Sequence, residues 1–395
     1  MPREVFSDRE KAGFFGRVAI VGVDESDEIG IVPHKSPLQL HAEAARNALA
    51  DAGIDKSEVD AVFTAGAGWH PSLLLAEYLG IQPTYTDSTS VGGSSFVIHV
   101  EHAAAAIAQG LVKVALITHG QSGHSMRQRR GARFPADPWS PQEQFEAPYH
   151  VGGAATHYAL ACMRHMHRYG TTHEQLAEIA VATRKWAMLN PKALMRDPIT
   201  IDDVLSSRWI TYPFHLLDCC LVTDAGGAVV VTSAERARDL RKKPVWVLGS
   251  GEATTHSSIA NMPELTTTPA SISGPRAFAM AGVRHEDIDV VEVYDSFTYT
   301  VLVTLEALGF CKPGEGGAFV SGQRTAPGGD FPLNTNGGGL SYTHPGMYGI
   351  FLLIEAVRQL RGECGDRQVP NARLALVNGT GGVLSSTGTL ILGVD

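Results

Sequence analysis

The sequence predicts an α/β protein made of two similar halves, and three observations carry that prediction. Short apolar runs alternate with segments of helical spacing; the alternation breaks off over residues 121–217; it then resumes to the C-terminus. Alternation of this kind places parallel strands in a sheet with helices on its faces. Glycine-rich turns, VGGSS (91–95) and NGGGLSYTHPGMYG (336–349), open the third helix of each half. Two halves facing each other would bring both turns to one shared site.

Each element follows from its own residues. RVAIVGV (17–23) is a Val- and Ile-rich strand, and SPLQLHAEAARNALADAG (36–53) has helical spacing and stops on Gly53. VDAVFTAG (59–66) reads as a strand, SSFVIHVEHAAAAIAQG (94–110) as a helix stopped by Gly110, and VKVALITHG (112–120) as a buried strand. Pro, Arg, Trp and His then become frequent and strand signals fade, with an amphipathic helix at GAATHYALACMRHMHRYG (153–170). The sheet is rejoined at LVTDAGGAVVVTS (221–233). The second half predicts a strand at 243–253, a helix at 274–283, a strand at 288–295, helices at 297–310 and 349–362, and strands at 372–382 and 386–394. The expected division is 1–120 plus 218–235 as the first half, 121–217 as an inserted loop domain, and 240–395 as the second half. Long insertions of this sort build binding walls.

Composition excludes several function classes. Of 395 residues 44% are apolar and 18% charged, and no run approaches the roughly 18 apolar residues that span a bilayer. A net charge of −9 and a pI near 6.0 argue against a nucleic-acid partner. The basic run MRQRRGAR (126–133) is a solvated loop or a grip on a phosphate-bearing ligand. The charged N-terminus, MPREVFSDREKAGFF, lacks an apolar signal segment and predicts a cytoplasmic protein. Five cysteines without a CxxC pair suggest neither a disulfide framework nor zinc. His165 and His167, in the densest histidine group, stand at i, i+2 and face apart on a helix, so no metal site is expected.

Several of these segments together resemble the thiolase superfamily over nearly the whole chain, and most of all its sterol-carrier-protein-X type branch. HPGMYG after NTNGGGLSYT (334–349) resembles the glycine–histidine–proline motif. VEVYDSFTYTVLVTLEALGFCKPGEGGAFV (291–320) resembles the strand and helix carrying the asparagine–glutamate or histidine–aspartate motif. LLDCCLVTDAGGAVVVTS (216–233) is similar to this branch's return to the sheet, and SVGGSSFVIHVEHAAAAIAQG (90–110) to the helix headed by the nucleophilic cysteine. The resemblance implies a thiolase fold: two βαβαβαββ halves in five αβαβα layers with an inserted loop domain, assembled as a homodimer.

The departures from that family shape the functional expectation. Aligned on Ser94, the nucleophile position is Gly92, and the position of the second cysteine, the base, is Gly379. A thiolase needs a thiolate at that helix start. Ser94 and Ser95 suit helix capping better than attack. His344 and Asp295 survive, Thr343 replaces the motif glycine, Tyr294 stands before Asp295, and Tyr342 and Tyr348 flank His344 as substrate-binding candidates or as pocket wall. Backbone at Gly92, Gly93 and Ser94, and at Gly379, Gly381 and Gly382, remains as an oxyanion site.

Held in that way, a thioester makes its α-carbon a leaving carbanion. A base acting on a β-hydroxyl then suffices for retro-aldol cleavage. The superfamily includes cysteine-less members that act so on hydroxyacyl-CoA from steroid side chains, together with a small OB-fold and zinc-ribbon partner protein. The resemblance thus implies an acyl-CoA carbon–carbon lyase with no cofactor beyond the coenzyme A of its substrate. Tyr294 or His344 takes the proton, the other holds or protonates the enolate, and Asp295 orients one of them. Two alternatives stay open: a non-catalytic acyl-CoA or lipid-binding scaffold, and a thiolase or acyltransferase working through Ser94.

Overall fold

The repeat read from the sequence appears as two matching runs of strands. The computed structural model describes residues 16–66, 68–130 and 137–395, without the side chains of 127–130. The charged stretch 1–15 and the side chains of 127–133 in the basic run lie outside the described residues. The first half supplies β1 (Val18–Glu25), β2 (Ala61–Thr64), β3 (Tyr85–Asp87), β4 (Val114–Ser122) and β5 (Asp224–Ser233). The second supplies β6 (Val245–Thr254), β7 (Val290–Val293), β8 (Leu374–Gly381) and β9 (Ser386–Gly393). Helices of the first half are α1 (Pro37–Ala52), α2 (Pro71–Leu79) and α3 (Ser95–Ala108); the inserted segment adds α4 (Ala154–Tyr169) and α5 (His173–Met188). The second half has α6 (Ala270–Ala281), α7 (Thr298–Leu308) and α8 (Gly349–Arg361).

The sheet order is β3-β2-β4-β5-β1-β6-β9-β8-β7. Read outward from the centre, the halves match. β1 pairs antiparallel with β5 as β6 does with β9, and β5 with β4 as β9 does with β8. The parallel pairs β4–β2 and β8–β7 follow. Two features differ from the expected pair of complete halves. Antiparallel contact of Ala19 with Trp246 and Ile20 with Val245 joins both halves into one sheet of nine strands. The third strand of the second half is reduced to one parallel bridge, Val291 to Leu333. Pro332, directly before it, has no N–H to extend a ladder.

Helices α1 and α6 cover the outer faces of their own halves, whereas α3 and α8 each pack on strands of both. That gives the order helix, sheet, helix, sheet, helix. The two central helices meet at their N-termini so closely that a Cβ on Gly349 would sit 2.1 Å from the Gly93 carbonyl oxygen. Helix ends obey local chemistry. α1 opens on a Ser36 capping box with Pro37 in its first turn and closes on Gly53 at φ 71°. α6 starts at Ala270, earlier than the expected 274, and keeps Pro275 inside. Proline favours a first turn, which is why the sequence places the start too late.

Burial of the centre has a cost that depends on pH. His41, His99, His119 and His344 are buried, and desolvation lowers them, to about 3 for His41, about 4 for His99 and His344, and well below the usual range for His119. Below pH 6.5 the unfolded chain binds these protons and the folded chain does not, so folding stability falls as pH falls through this window. Desolvation raises Glu292 and Asp295, and also Asp218, Glu101 and Asp24, and these act in the opposite sense. Each buried histidine that stays neutral costs up to about 1.4 kcal/mol of stability per pH unit below 6.5. His119→Phe removes one such group, so its melting midpoint should rise relative to wild type as pH falls from 7 to 4.5; a constant difference between the two would contradict a buried neutral His119.

Candidate active site

The second glycine-rich turn is brought to the end of β7 by main-chain lacing. Val291 N–H donates to Pro332 O, Asn334 N–H to Val291 O at 3.0 Å, and Val293 N–H to Asn334 Oδ1 at 2.8 Å. Past this zipper, Gly338–Tyr342 form a wide helical turn that delivers His344 just ahead of α8. The segment returning from the insertion straps it down: Cys220 N–H donates to Ser296 O, Leu221 N–H to Gly339 O, and Thr223 N–H to His344 O. His344 N–H donates to Thr223 Oγ1 at 2.9 Å, and Thr223 Oγ1 lies 2.7 Å from Thr343 Oγ1. That pair accounts for Thr343 in place of the motif glycine.

Tyr294 and His344 meet directly. The phenol oxygen lies 2.7 Å from His344 Nε2, with the rings edge to face at 5.6 Å between centroids. The backbone carbonyls of His344 itself and Leu221 favour a proton on the imidazole nitrogen facing them. Carbonyls only accept, so the ring N–H turns to them and Nε2 is left to accept the phenol proton. Burial lowers His344 to about 4 and keeps it neutral. Burial, reinforced by the neighbouring acidic groups of Cys220, Tyr158 and Asp295, pushes Tyr294 well above the usual phenol range. A backbone hydrogen bond from Tyr348, the residue before α8, opposes that rise.

Asp295 does not touch either ring. Its Oδ1 accepts Gly339 N–H at 2.7 Å and its Oδ2 accepts Leu340 N–H at 3.1 Å, so it shapes the turn that carries His344. Burial raises it to about 7 despite those bonds. The approach admits no side chain, since a Cβ on Gly338 would lie 2.0 Å from Asp295 Oδ2. The flanking tyrosines separate. Tyr348 stacks on His344 at 6.2 Å and 21°, and donates its hydroxyl proton to Asn336 Oδ1 at 2.9 Å. Tyr342, expected among the substrate-binding residues, instead donates to Glu25 Oε1 at 2.8 Å, within an ion-pair group with Arg358 and Lys192. Its hydroxyl serves that buried carboxylate.

The other glycines close the space where a thiolase would hold its cysteines. A Cβ on Gly92 would lie 2.6 Å from Gly382 N and 2.9 Å from Gly381 Cα, and Gly92 has φ +83°. A Cβ on Gly93 would meet the Tyr294 ring at 2.3 Å, one on Gly379 would meet Ser94 Cα at 2.9 Å, and one on Gly381 would meet Val91 O at 1.7 Å. Backbone from the β8–β9 turn and the Tyr294 ring therefore fill the nucleophile's position. Ser94 Oγ donates to Val91 O at 3.3 Å and lies 3.2 Å from Ser386 Oγ, while Ser95 Oγ donates to Gly92 O at 2.7 Å. Neither bonds to a base. All five cysteines are free thiols raised by burial; only Cys220 approaches Tyr294 and Asp295. His165 is buried on Glu306 and Thr171 while His167 is exposed, and among the described residues no cluster of ligating side chains could hold a metal ion.

Three contributors escaped sequence reading: Leu221 and Thr223, which hold the histidine through backbone and hydroxyl, and Tyr158 on α4, whose hydroxyl reaches Gly382 O at 3.1 Å. Leu221 and Thr223 lie in the segment 216–233 that resembles the family's return to the sheet, but nothing in it marked them as partners of the histidine; Tyr158 stands in no motif.

Fold and site together define a thiolase-type enzyme scaffold whose covalent nucleophile has been replaced by packing. Residues 251–394 match the family model described as thiolase C-terminal domain-like. The chain is 36% identical to the 17-hydroxy-3-oxo-4-pregnene-20-carboxyl-CoA lyase of Mycobacterium tuberculosis, covering 96% of this chain and 99% of that one. It is 35% identical to the steroid side-chain-cleaving aldolase of Thermomonospora curvata, over 96% and 98% of the two chains. A solved Ltp2-ChsH2(DUF35) aldolase superposes with a TM-score of 0.88 at 34% identity, over 97% of this chain and 99% of that chain. The chain belongs to the thiolase superfamily, in the family that these lyases and aldolases form.

Restoring the cysteine should not restore a thiolase. Gly92→Cys forces a side chain into backbone at positive φ, at a cost of about 1–3 kcal/mol. A lowered melting temperature and no acyl-enzyme adduct by intact mass are the expected outcomes; an acyl adduct would show that the position is still open.

Proposed function

We propose that the protein is an acyl-CoA carbon–carbon lyase that cleaves a β-hydroxyacyl-CoA by a retro-aldol reaction, with a steroid-derived acyl group of the kind named for its relatives. The observation that carries this reading is the Tyr294 hydroxyl bonded to a neutral His344 Nε2, in a site with no room for a nucleophile. The hydroxyl proton of the substrate passes to the Tyr294 oxygen as the Tyr294 proton moves to His344. The oxygen's electrons form the carbonyl of a ketone or aldehyde, the Cα–Cβ bond breaks, and its electron pair becomes the thioester enolate. Donors at the N-termini of α3 and α8 suit the negative charge that develops. The proton returns from His344 through Tyr294 to the α-carbon, releasing a shorter acyl-CoA. Coenzyme A enters only as part of the substrate.

The assembly follows the same reading. The outer side of β3 is a sheet edge, and Trp69, Leu73, Leu74 and Tyr78 on and before α2, with Leu111, present apolar surface near it; this supports a homodimer. The DUF35 component in the solved aldolase supports a small OB-fold and zinc-ribbon partner. Among the described residues no helix is long and apolar enough to cross a membrane.

Purified protein, with and without a DUF35 partner, should release ketone or aldehyde from a branched β-hydroxyacyl-CoA. Tyr294→Phe and His344→Ala should each lower kcat by at least about 100-fold; turnover at the wild-type rate in both would sink the mechanism. The base must be neutral to accept a proton, so kcat/KM should fall as pH drops toward about 4, where His344 becomes charged.

A further inference from the structure

We infer that Tyr158, contributed by the inserted segment, is a positioning residue whose hydroxyl clamps the Gly381–Ser385 turn against the Tyr294 site. This inference rests on the lyase reading above and deepens it. The turn is what fills the vacated nucleophile position, and its conformation is a costly one. Gly382 has φ +62°, and the buried Leu384 has φ +55°, a left-handed conformation that costs a side-chain-bearing residue about 1–2 kcal/mol. Such strain persists only where the surroundings impose it.

The surroundings that impose it come from outside the turn. Tyr158 Oη donates to Gly382 O at 3.1 Å and receives Leu384 N–H in a longer contact of 3.5 Å. One hydroxyl thus spans the strained pair of residues. His256 bonds the carbonyl between them, Val383 O, at 2.9 Å. Tyr158 is itself fixed, its ring packed on Phe297 at 4.8 Å, and Phe297 is stacked in turn on Phe214 at 4.9 Å. Burial raises its hydroxyl to about 12, so it stays protonated and able to donate.

The other side of the turn touches the chemistry. Gly381 and Gly382 press on Val91 and Gly92, and Gly93 presses on the Tyr294 ring. A slack turn would let the wall behind Tyr294 move, and a displacement of about 1 Å can cost 10²-fold in rate. Tyr158 needs no contact with the reacting atoms to matter.

The test uses the full chain and measures ketone release, melting temperature and amide hydrogen exchange across 381–385. Tyr158→Phe keeps the ring packing and removes the hydroxyl, and with it the clamp and its contact with Ser296. The expected result is a kcat lower by about tenfold, with KM and melting temperature near wild type and faster exchange at Leu384. His256→Ala, which frees the Val383 carbonyl from a half-buried side chain, should move kcat and exchange in the same direction by a smaller factor. Wild-type kcat and unaltered exchange in Tyr158→Phe would overturn the inference while leaving the lyase reading standing. A lower melting temperature with unchanged kcat would overturn it too, as a purely structural role. If wild-type protein released no ketone, the lyase reading would fail, and the exchange data would still report whether Tyr158 holds the turn.

Discussion

The hydrogen bond from the Tyr294 phenol to His344 exists only because the imidazole is neutral and correctly oriented, and much of the surrounding structure serves that condition. A protonated ring would offer Nε2 as a donor and lose the phenol's proton acceptor. Burial removes the charge, and the Leu221 and His344 carbonyls direct the ring N–H away. Thr223 and Thr343 fix the backbone that carries the ring. The return segment from the insertion therefore does more than rejoin the sheet: it supplies acceptor, hydroxyl and main-chain bonds within five residues, 219–223.

The same burial separates the two partners. It lifts the phenol and lowers the imidazole, so the shared proton rests on oxygen. Charge on the phenol oxygen would lie where α3 and α8 begin, and the Tyr348 backbone already acts to lower the phenol. Helix N-termini favour negative charge. Two central helices meeting head to head, allowed by Gly93 and Gly349, concentrate that favour on one site.

Much of this was legible in the residues because it lies in patterns of fixed period. Strands β1, β4, β6, β8 and β9, and helices α1, α3, α4, α7 and α8, fall within two or three residues of where apolar spacing and terminal glycines put them. Short or exposed elements were not legible: α2 and β3 are too brief to show a period, and the Trp209–His215 hairpin lies where strand signals had faded. The missing third strand of the second half was marked by Pro332, but only the register showed what the proline cost. In the site, the motif residues Tyr294, Asp295 and His344 were found by their positions in the chain. Their division of labour was not, because which partners Asp295, Tyr342 and Tyr348 reach is set by tertiary contacts. Tyr158 and Thr223 are brought in by tertiary contact from the insertion and its return, and nothing local distinguishes them.

The loss of the cysteines also fits the proton balance of the proposed reaction. Thiolysis needs a covalent intermediate and a second thiol that must enter the site. Retro-aldol cleavage takes one proton from a hydroxyl and returns one to carbon, so the chemical steps require no exchange with solvent. A base sealed among Tyr348, Gly93 and the Gly381–Ser385 turn is then an advantage, since water would solvate the phenol and weaken every interaction with the enolate. Filling the nucleophile position with backbone removes competing attack and dries the remaining pair in one rearrangement. The glycines at 92, 93, 379 and 381 are thus read better as packing requirements of the new chemistry than as remnants of the old.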